Sequence, residues 1–206
     1  MRSPVVVLFT TYPITQPRSG GQIRAAALVE AYVAGGFEVV PIAVFETGAF
    51  RRQEVGPNDL QFPLDDARSF ADGVKLPQSN DVQAGRFLAA DDTLFKKLVK
   101  RLPKRVDAFH LEQPWLLPAV ERLRALPAFT SSRIVYGSQN IEAPLRAAIC
   151  QQLGVDGAKT IEAVKSLETA ACRVAELTLA VSESDEQALV AMGGRRVIRA
   201  ANGIHA

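Results

Sequence analysis

The sequence predicts an α/β protein, a Rossmann-like doubly wound parallel sheet with helices on both faces. Three observations predict it. Short β-rich apolar runs alternate with longer helical runs along nearly the whole chain, the pattern of strands joined by crossover helices. The first run, Pro4 to Phe9, is apolar without a break, as a strand buried on both faces requires. Glycines and prolines punctuate the boundaries between runs.

The elements follow in order. Pro4 to Phe9 is the first strand, and a loop over Thr11 to Ser19 carries Pro13 and Pro17. Gly20-Gly21 opens a helix over about Gln22 to Ala34, with Ile23, Ala27, Val33 and Ala34 among its apolar positions. Gly35-Gly36 stops it, as glycine past a helix end commonly does. Phe37 to Phe45 is the second strand. Residues 46 to 80 lack a clear pattern and hold Pro57, Pro63, Pro77 and the pair Asp65-Asp66; so long an unstructured connection is uncommon in a compact domain, so either a third strand or short helices lie within it or the segment is mobile. A helix is predicted over Asp81 to Leu102, a strand over Val106 to Leu111, and a helix over Pro114 to Leu126 with proline near its start. Arg133 to Ser138 is a strand. Pro144 to Leu153 and Ala158 to Glu176 are helices, and Leu177 to Val181 is a strand. Ser182 begins a further helix with Asp185 three residues on as a capping partner. Arg196 to Ala200 is the last strand.

At 206 residues, 48% hydrophobic and 22% charged, the chain has enough apolar surface for one core and is not disordered. Its net charge of +2 argues against a dedicated nucleic-acid binder. Cys150 and Cys172 form no zinc or C-x-x-C spacing, which fits buried thiols in a reduced, cytoplasmic setting. There is no Asp-x-Asp element and no His-Cys cluster, so no metal or other cofactor is expected. No apolar run reaches the ~18 residues of a membrane span.

Open parallel sheets bind ligands beyond the carboxyl ends of their strands. The residues at those ends are Thr10 to Gly21, then His110-Leu111-Glu112-Gln113, then Ser138-Gln139-Asn140 with Glu142, and Ser182-Glu183. Their amides, carboxylates and imidazole suit a hydroxyl-rich or phosphorylated ligand. Backbone amides at Gly20-Gly21 can meet an anion at a helix start, with Arg24 one turn in adding charge; the glycines can equally serve a tight turn. His110 fits a general base or hydroxyl donor, or a histidine bonded within the sheet. Glu168 sits in the apolar face formed by Ile161, Val164, Ala171 and Ala175. There a buried carboxylate needs a partner, and a structural bond to nearby backbone or hydroxyl is expected.

In sequence order, Ser19-Gly20-Gly21-x-x-Arg24, Gly36-Phe37-Glu38-Val39, Asp107-Ala108-Phe109-His110, Tyr136-Gly137-Ser138-Gln139-Asn140-Ile141-Glu142, Leu167-Glu168, Ala180-Val181-Ser182-Glu183 and Ala201-Asn202-Gly203-Ile204 resemble the amino-terminal domain of glycosyltransferase family 4, also called group 1, which has the GT-B fold. The resemblance implies transfer of a sugar from a nucleotide-sugar to an acceptor hydroxyl, usually with retention, in a cleft between two Rossmann-like domains. It implies that Gly20 and Gly21, with Arg24, face the donor phosphates and that His110 lies near the transferred sugar or the acceptor. Glu112, Gln113, Gln139, Asn140 and Glu142 would border the pocket for a carbohydrate or lipid-linked acceptor. The domain is expected to occupy residues 1–195, with 196–206 the last strand and the start of a linker. The family's second, nucleotide-binding domain with its Glu-x7-Glu element is not expected within these 206 residues; Glu168 and Glu176 have that spacing but lie on an amino-domain helix, and His205 stands where the family often has aspartate. The chain is therefore read as half an enzyme, inactive alone, whose missing domain is supplied in cis or in trans. Competing readings are a non-catalytic carbohydrate-binding module, or a subunit that completes its site with a separate polypeptide, and another GT-B enzyme such as a nucleotide-sugar epimerase.

Residues 94–105 bear on location. Leu94, Phe95, Leu98, Val99 and Leu102 form a helical stripe among Lys96, Lys97, Lys100, Arg101, Lys104 and Arg105. Such a segment either lies on an anionic membrane or packs on the sheet with a solvated basic face.

Overall fold

The computed structural model describes residues 2–63 and 80–202; the pair Asp65-Asp66 and residues Gly203, Ile204 and His205 lie outside them. The strands are β1 (Val5–Thr10), β2 (Glu38–Glu46), β3 (Leu60–Phe62), β4 (Ala108–Leu111), β5 (Arg133–Gly137), β6 (Leu177–Ala180) and β7 (Val197–Arg199). They form one sheet of order β3-β2-β1-β4-β5-β6-β7, and every pairing is parallel. The helices are α1 (Gly20–Ala34), α2 (Asn80–Ala90), α3 (Asp92–Arg101), α4 (Leu117–Arg124), α5 (Glu142–Leu153), α6 (Ala158–Val174) and α7 (Glu183–Ala191). Single 3-10 turns occupy Arg52–Glu54 and Pro114–Leu116.

Strand order sets the layers. The chain moves from β1 to β2 in one direction and from β4 to β7 in the other, and right-handed crossovers then place α1 on the opposite face from the later helices. The main core lies on that later-helix face. Val7, Phe9, Phe109, Leu111, Ile134 and Tyr136 of the sheet pack there against Leu88, Leu98, Val120 and Leu189. β1 is buried at all six positions, which accounts for its unbroken apolar run.

Two expectations are corrected, and one left open is resolved. The single helix over Asp81 to Leu102 is two, because Asp91 is extended and its carboxylate accepts the Leu94 N–H at 2.9 Å, starting a new helix. The poorly patterned segment does hold a strand, β3, parallel to β2. The apolar positions assigned to α1 do not mark its buried face: Ile23 is 40% and Val33 58% exposed, whereas Gln22, Arg24 and Ala25 are buried. The start of α1 is thus held by polar contacts. The apolar stripe of residues 94–102 is likewise turned inward. Leu94, Phe95 and Leu98 belong to the core, and Lys96, Lys97 and Lys100 are exposed on the opposite side of α3. Among the described residues no helix is long and apolar enough to cross a membrane.

Candidate functional site

Between β1 and β4 the strand order reverses, the position at which open parallel sheets have their ligand crevice. Thr11 Oγ1 donates to Gln113 Oε1 at 2.6 Å, tying these two loops together. Thr10 Oγ1 donates to the Tyr12 carbonyl at 2.6 Å and turns the chain back. The loop then reaches α1 through Gln22. Its Oε1 accepts from the Arg18 and Ser19 N–H groups at 2.9 and 3.0 Å, and its Nε2 donates to the Pro13 carbonyl at 2.9 Å. That side chain satisfies groups otherwise left over at a helix start, which explains why a glutamine is buried there.

The floor of the crevice is organised by Glu112, which has no exposure. Its Oε1 accepts from His110 Nε2 at 3.0 Å, its Oε2 accepts from Gln139 Nε2 at 3.0 Å, and Arg24 Nε lies 3.3 Å from Oε2. A carboxylate only accepts, so Nε2 of His110 carries a proton; in the neutral ring Nδ1 then accepts from the Tyr32 hydroxyl, 2.9 Å away. Gln139 Nε2 also bonds the Tyr12 hydroxyl. Burial pushes the Tyr12 phenol well above its usual range, with Glu112 adding to the effect and the Gln139 bond opposing it. Burial, again reinforced by Glu112, pushes Tyr32 up to about 12. Both phenols are therefore neutral: Tyr32 donates to His110, and the Tyr12 oxygen accepts from Gln139.

Two glycines fit this network. A Cβ at Gly21 would stand 2.8 Å from both Gln139 Oε1 and the Tyr12 hydroxyl. A Cβ at Gly137 would collide with Glu112 Oε1 and lie 2.8 Å from His110 Nε2. Gly20 opens onto free space, with no atom within 4 Å of a Cβ built there.

Of the residues predicted from sequence, Gly21, Arg24, Glu112 and Gln139 converge directly, with Gln113 bound to Thr11 beside them. Asn140 is exposed in the loop after β5, where Ser138 Oγ donates to its carbonyl at 2.8 Å. Three of the residues are engaged within the protein, His110 in the second of its two expected roles. His110 has no exposure and both its nitrogens are engaged, so its ring offers no free nitrogen to a ligand. Arg24 is buried, and its Nη1 donates to the Ala200 carbonyl and Asn202 Oδ1, both at 2.9 Å. It binds the chain leaving β7 instead of standing free at the helix start. Glu142 belongs to a second buried cluster, where Arg146 Nη2 contacts Asp81 Oδ2 at 2.9 Å and Glu142 Oε2 at 3.5 Å. Burial pushes Glu142 up to about 7; Arg146 opposes this, and Asp81 and Glu168 add to it. Glu168 accepts from the Glu142 N–H at 3.0 Å and from the Tyr136 hydroxyl at 3.3 Å, fixing the first turn of α5 to α6 and β5. Glu176 accepts from the Ile134 N–H at 2.6 Å, a structural bond well away from the crevice.

Sequence reasoning did not single out Tyr12, Tyr32 or Gly137. Tyr32 was legible, since it follows Arg24 by eight residues and so shares its helix face. Gly137 was also legible, because glycine inside a strand marks a close approach of neighbours. Tyr12 lies in irregular backbone, where spacing carries no such signal.

Comparison with protein-family models finds no match, and no curated protein matches. Solved structures do match. Sucrose-phosphate synthase from Thermosynechococcus elongatus is similar at 13% identity and a TM-score of 0.60, over 98% of this chain and 49% of that one. The catalytic domain of starch synthase IV from Arabidopsis thaliana, solved bound to ADP and acarbose, is similar at 13% identity and a TM-score of 0.58, over 98% of this chain and 52% of that one. The chain spans about half the length of these structures. Both are GT-B glycosyltransferases, and the fold of this chain is the Rossmann-like α/β domain of that type.

Proposed function

We propose that this chain is the amino-terminal, acceptor-side half of a glycosyltransferase related to family 4. With its second domain it transfers a hexosyl group from a nucleotide-sugar to the hydroxyl of a carbohydrate or lipid-linked acceptor in the cytoplasm, with retention and without a metal; alone it is inactive. One observation carries the reading: Gly21, Tyr12, Gln139 and Glu112 meet at the reversal of strand order, beside the open backbone of Gly20. Amide groups at a helix start suit a diphosphate, and the adjoining amide and phenol groups suit sugar hydroxyls. His110 and Arg24 act in this reading as positioning residues: His110 holds Glu112 from below, and Arg24 neutralises it from α1. Gln113 and Asn140 line the acceptor side, and Glu142 supports that wall through Arg146.

Titration of the isotope-labelled chain, followed by amide resonances, tests this. A nucleoside diphosphate is expected to shift Gly20 and Gly21, and oligosaccharides to shift Gln139 and Asn140. Shifts confined to other parts of the molecule, or none with either class, overturn the assignment. Appreciable sugar transfer by the 206-residue chain overturns the claim of inactivity.

A further inference from the structure

Because every strand pairing is parallel, all strand starts share one edge of the sheet, opposite the crevice. The residues just before or at those starts are basic across most of that edge: Arg2 before β1, Lys104 and Arg105 before β4, Arg133 opening β5, and Arg195-Arg196 before β7. All six are exposed. Strands lie ~4.8 Å apart, so the row from β2 to β7 is about 24 Å long. The acids of the same edge do not neutralise it. Asp107 accepts the Val5 N–H at 2.7 Å and pairs with Arg105 at 2.8 Å, and Glu176 is bonded to the Ile134 N–H; Glu38 is exposed at the start of β2. Arg2, Lys104, Arg133, Arg195 and Arg196 make no ion pair among the described residues. Lys100, on the outer face of α3 one turn before the edge, extends the same charge.

The row ends on apolar surface. α1 runs antiparallel to the strands, so its last turn and the turn into β2 reach the same edge. There Val33 is 58% and Phe37 36% exposed. Gly36, at φ 83°, makes the tight turn that presents Phe37, a conformation glycine adopts at little cost. A basic row beside exposed apolar side chains is the pairing of signals that holds a protein on an anionic bilayer, since charge and a small apolar insertion each bind weakly alone. Nucleic acid fits less well: Phe37 is the one large aromatic exposed among the described residues, and base stacking on single strands needs several.

We propose that the amino-terminal edge of the sheet docks on an anionic lipid surface through Arg2, Lys104, Arg133, Arg195 and Arg196, with Val33 and Phe37 entering the headgroup layer. The crevice then faces water, about 20 Å from the membrane by the length of a six-residue strand. This surface differs from the stripe of residues 94–102, which is used in the core.

Cosedimentation of the chain with vesicles of phosphatidylcholine, alone or mixed with phosphatidylserine, at low and high salt tests the proposal. Binding is expected only to the mixed vesicles, and to weaken at least tenfold at high salt. The triple substitution Lys104→Glu, Arg195→Glu, Arg196→Glu is expected to weaken low-salt binding at least tenfold. The double substitution Val33→Ser, Phe37→Ser is expected to weaken it several-fold while leaving the salt dependence in place. A charge-matched control, Arg52→Glu, Lys159→Glu, Lys165→Glu, changes exposed cations away from this edge and is expected to bind as the parent does; circular dichroism verifies that each variant is folded. No binding to the mixed vesicles, equal loss in the control, or tighter capture of DNA than of vesicles by the same edge overturns the proposal. None of these outcomes depends on sugar transfer, so the proposal can fail while the glycosyltransferase reading stands.

Discussion

Replacing Gly137 by alanine tests whether the floor of the crevice is as tightly built as its geometry indicates. The backbone permits the change, since Gly137 is not among the positive-φ glycines. The added methyl would collide with Glu112 Oε1 and stand 2.8 Å from His110 Nε2 and 3.0 Å from Glu112 Cδ. Neither side chain can retreat: both are fully buried, Glu112 is also bonded to Gln139, and His110 is bonded to Tyr32. Overpacking of this kind costs about 1–3 kcal/mol. Parting the His110–Glu112 bond while both groups stay buried costs about 1–3 kcal/mol more. A loss near 4 kcal/mol is therefore expected, which in a domain of this size lowers Tm by about 8–16 °C. Thermal and urea unfolding followed by circular dichroism measures it, with a lower midpoint and an unchanged denaturant slope. Gly20→Ala is the matched comparison, because a methyl there meets nothing; it should fall within about 0.5 kcal/mol of the parent chain. A Gly137→Ala chain as stable as Gly20→Ala would refute the reasoning.

Two further outcomes are expected. Burial pushes Glu142 up to about 7 from 4.5, so the folded chain holds that proton more tightly than the unfolded one. Its contribution is full below about pH 4.5 and is lost as pH rises through about 7, by at most about 3 kcal/mol; Glu142→Gln should flatten this fall in stability, and an unchanged pH slope in urea titrations would exclude Glu142 as its source. Arg24→Met removes the two 2.9 Å bonds to Ala200 and Asn202, so hydrogen exchange at the Ala200 amide, which bonds the Ala180 carbonyl, should quicken at least tenfold while the β1 amides keep their protection. Equal protection of the Ala200 amide in the parent and in Arg24→Met would show that Arg24 does not hold the chain leaving β7.

Much of the architecture was legible in the sequence, because strands and helices have distinct hydrophobic periods. The unbroken apolar run of β1, the glycine pair ending α1 and the spacing around Glu168 each has one physical reading. The crevice was legible as a set of strand ends, since parallel topology alone brings those ends together. The orientation of individual side chains was not. Ile23 and Val33 carried the apolar weight of α1 yet face outward, because the buried face near its start is formed by Gln22 and Arg24 through hydrogen bonds that periodicity does not register. The break at Asp91 was hidden for a similar reason: an aspartate can sit on a helix surface or cap one, and only backbone geometry decides. His110 was visible as an unusual residue at a strand end, but whether its ring faces ligand or protein depends on Tyr32 and Glu112, which come from other elements.

The Glu112 network explains why so polar a floor persists beneath the crevice. Replacing buried charges by apolar side chains of similar volume is often neutral or stabilising, so stability alone does not call for a carboxylate, an imidazole and a guanidinium in the interior. What this group does that leucine cannot is fix orientation across elements remote in sequence. Glu112 aims Gln139 of the β5 loop at Tyr12 of the β1 loop, Arg24 joins α1 to Asn202, and His110 anchors Glu112 to Tyr32. Donors held in this way meet a polar ligand without reordering, which preserves the binding energy that ordering would consume. The same connectivity means that a change at one member is felt by the others, so substitutions here should combine non-additively whereas those at the basic edge should add.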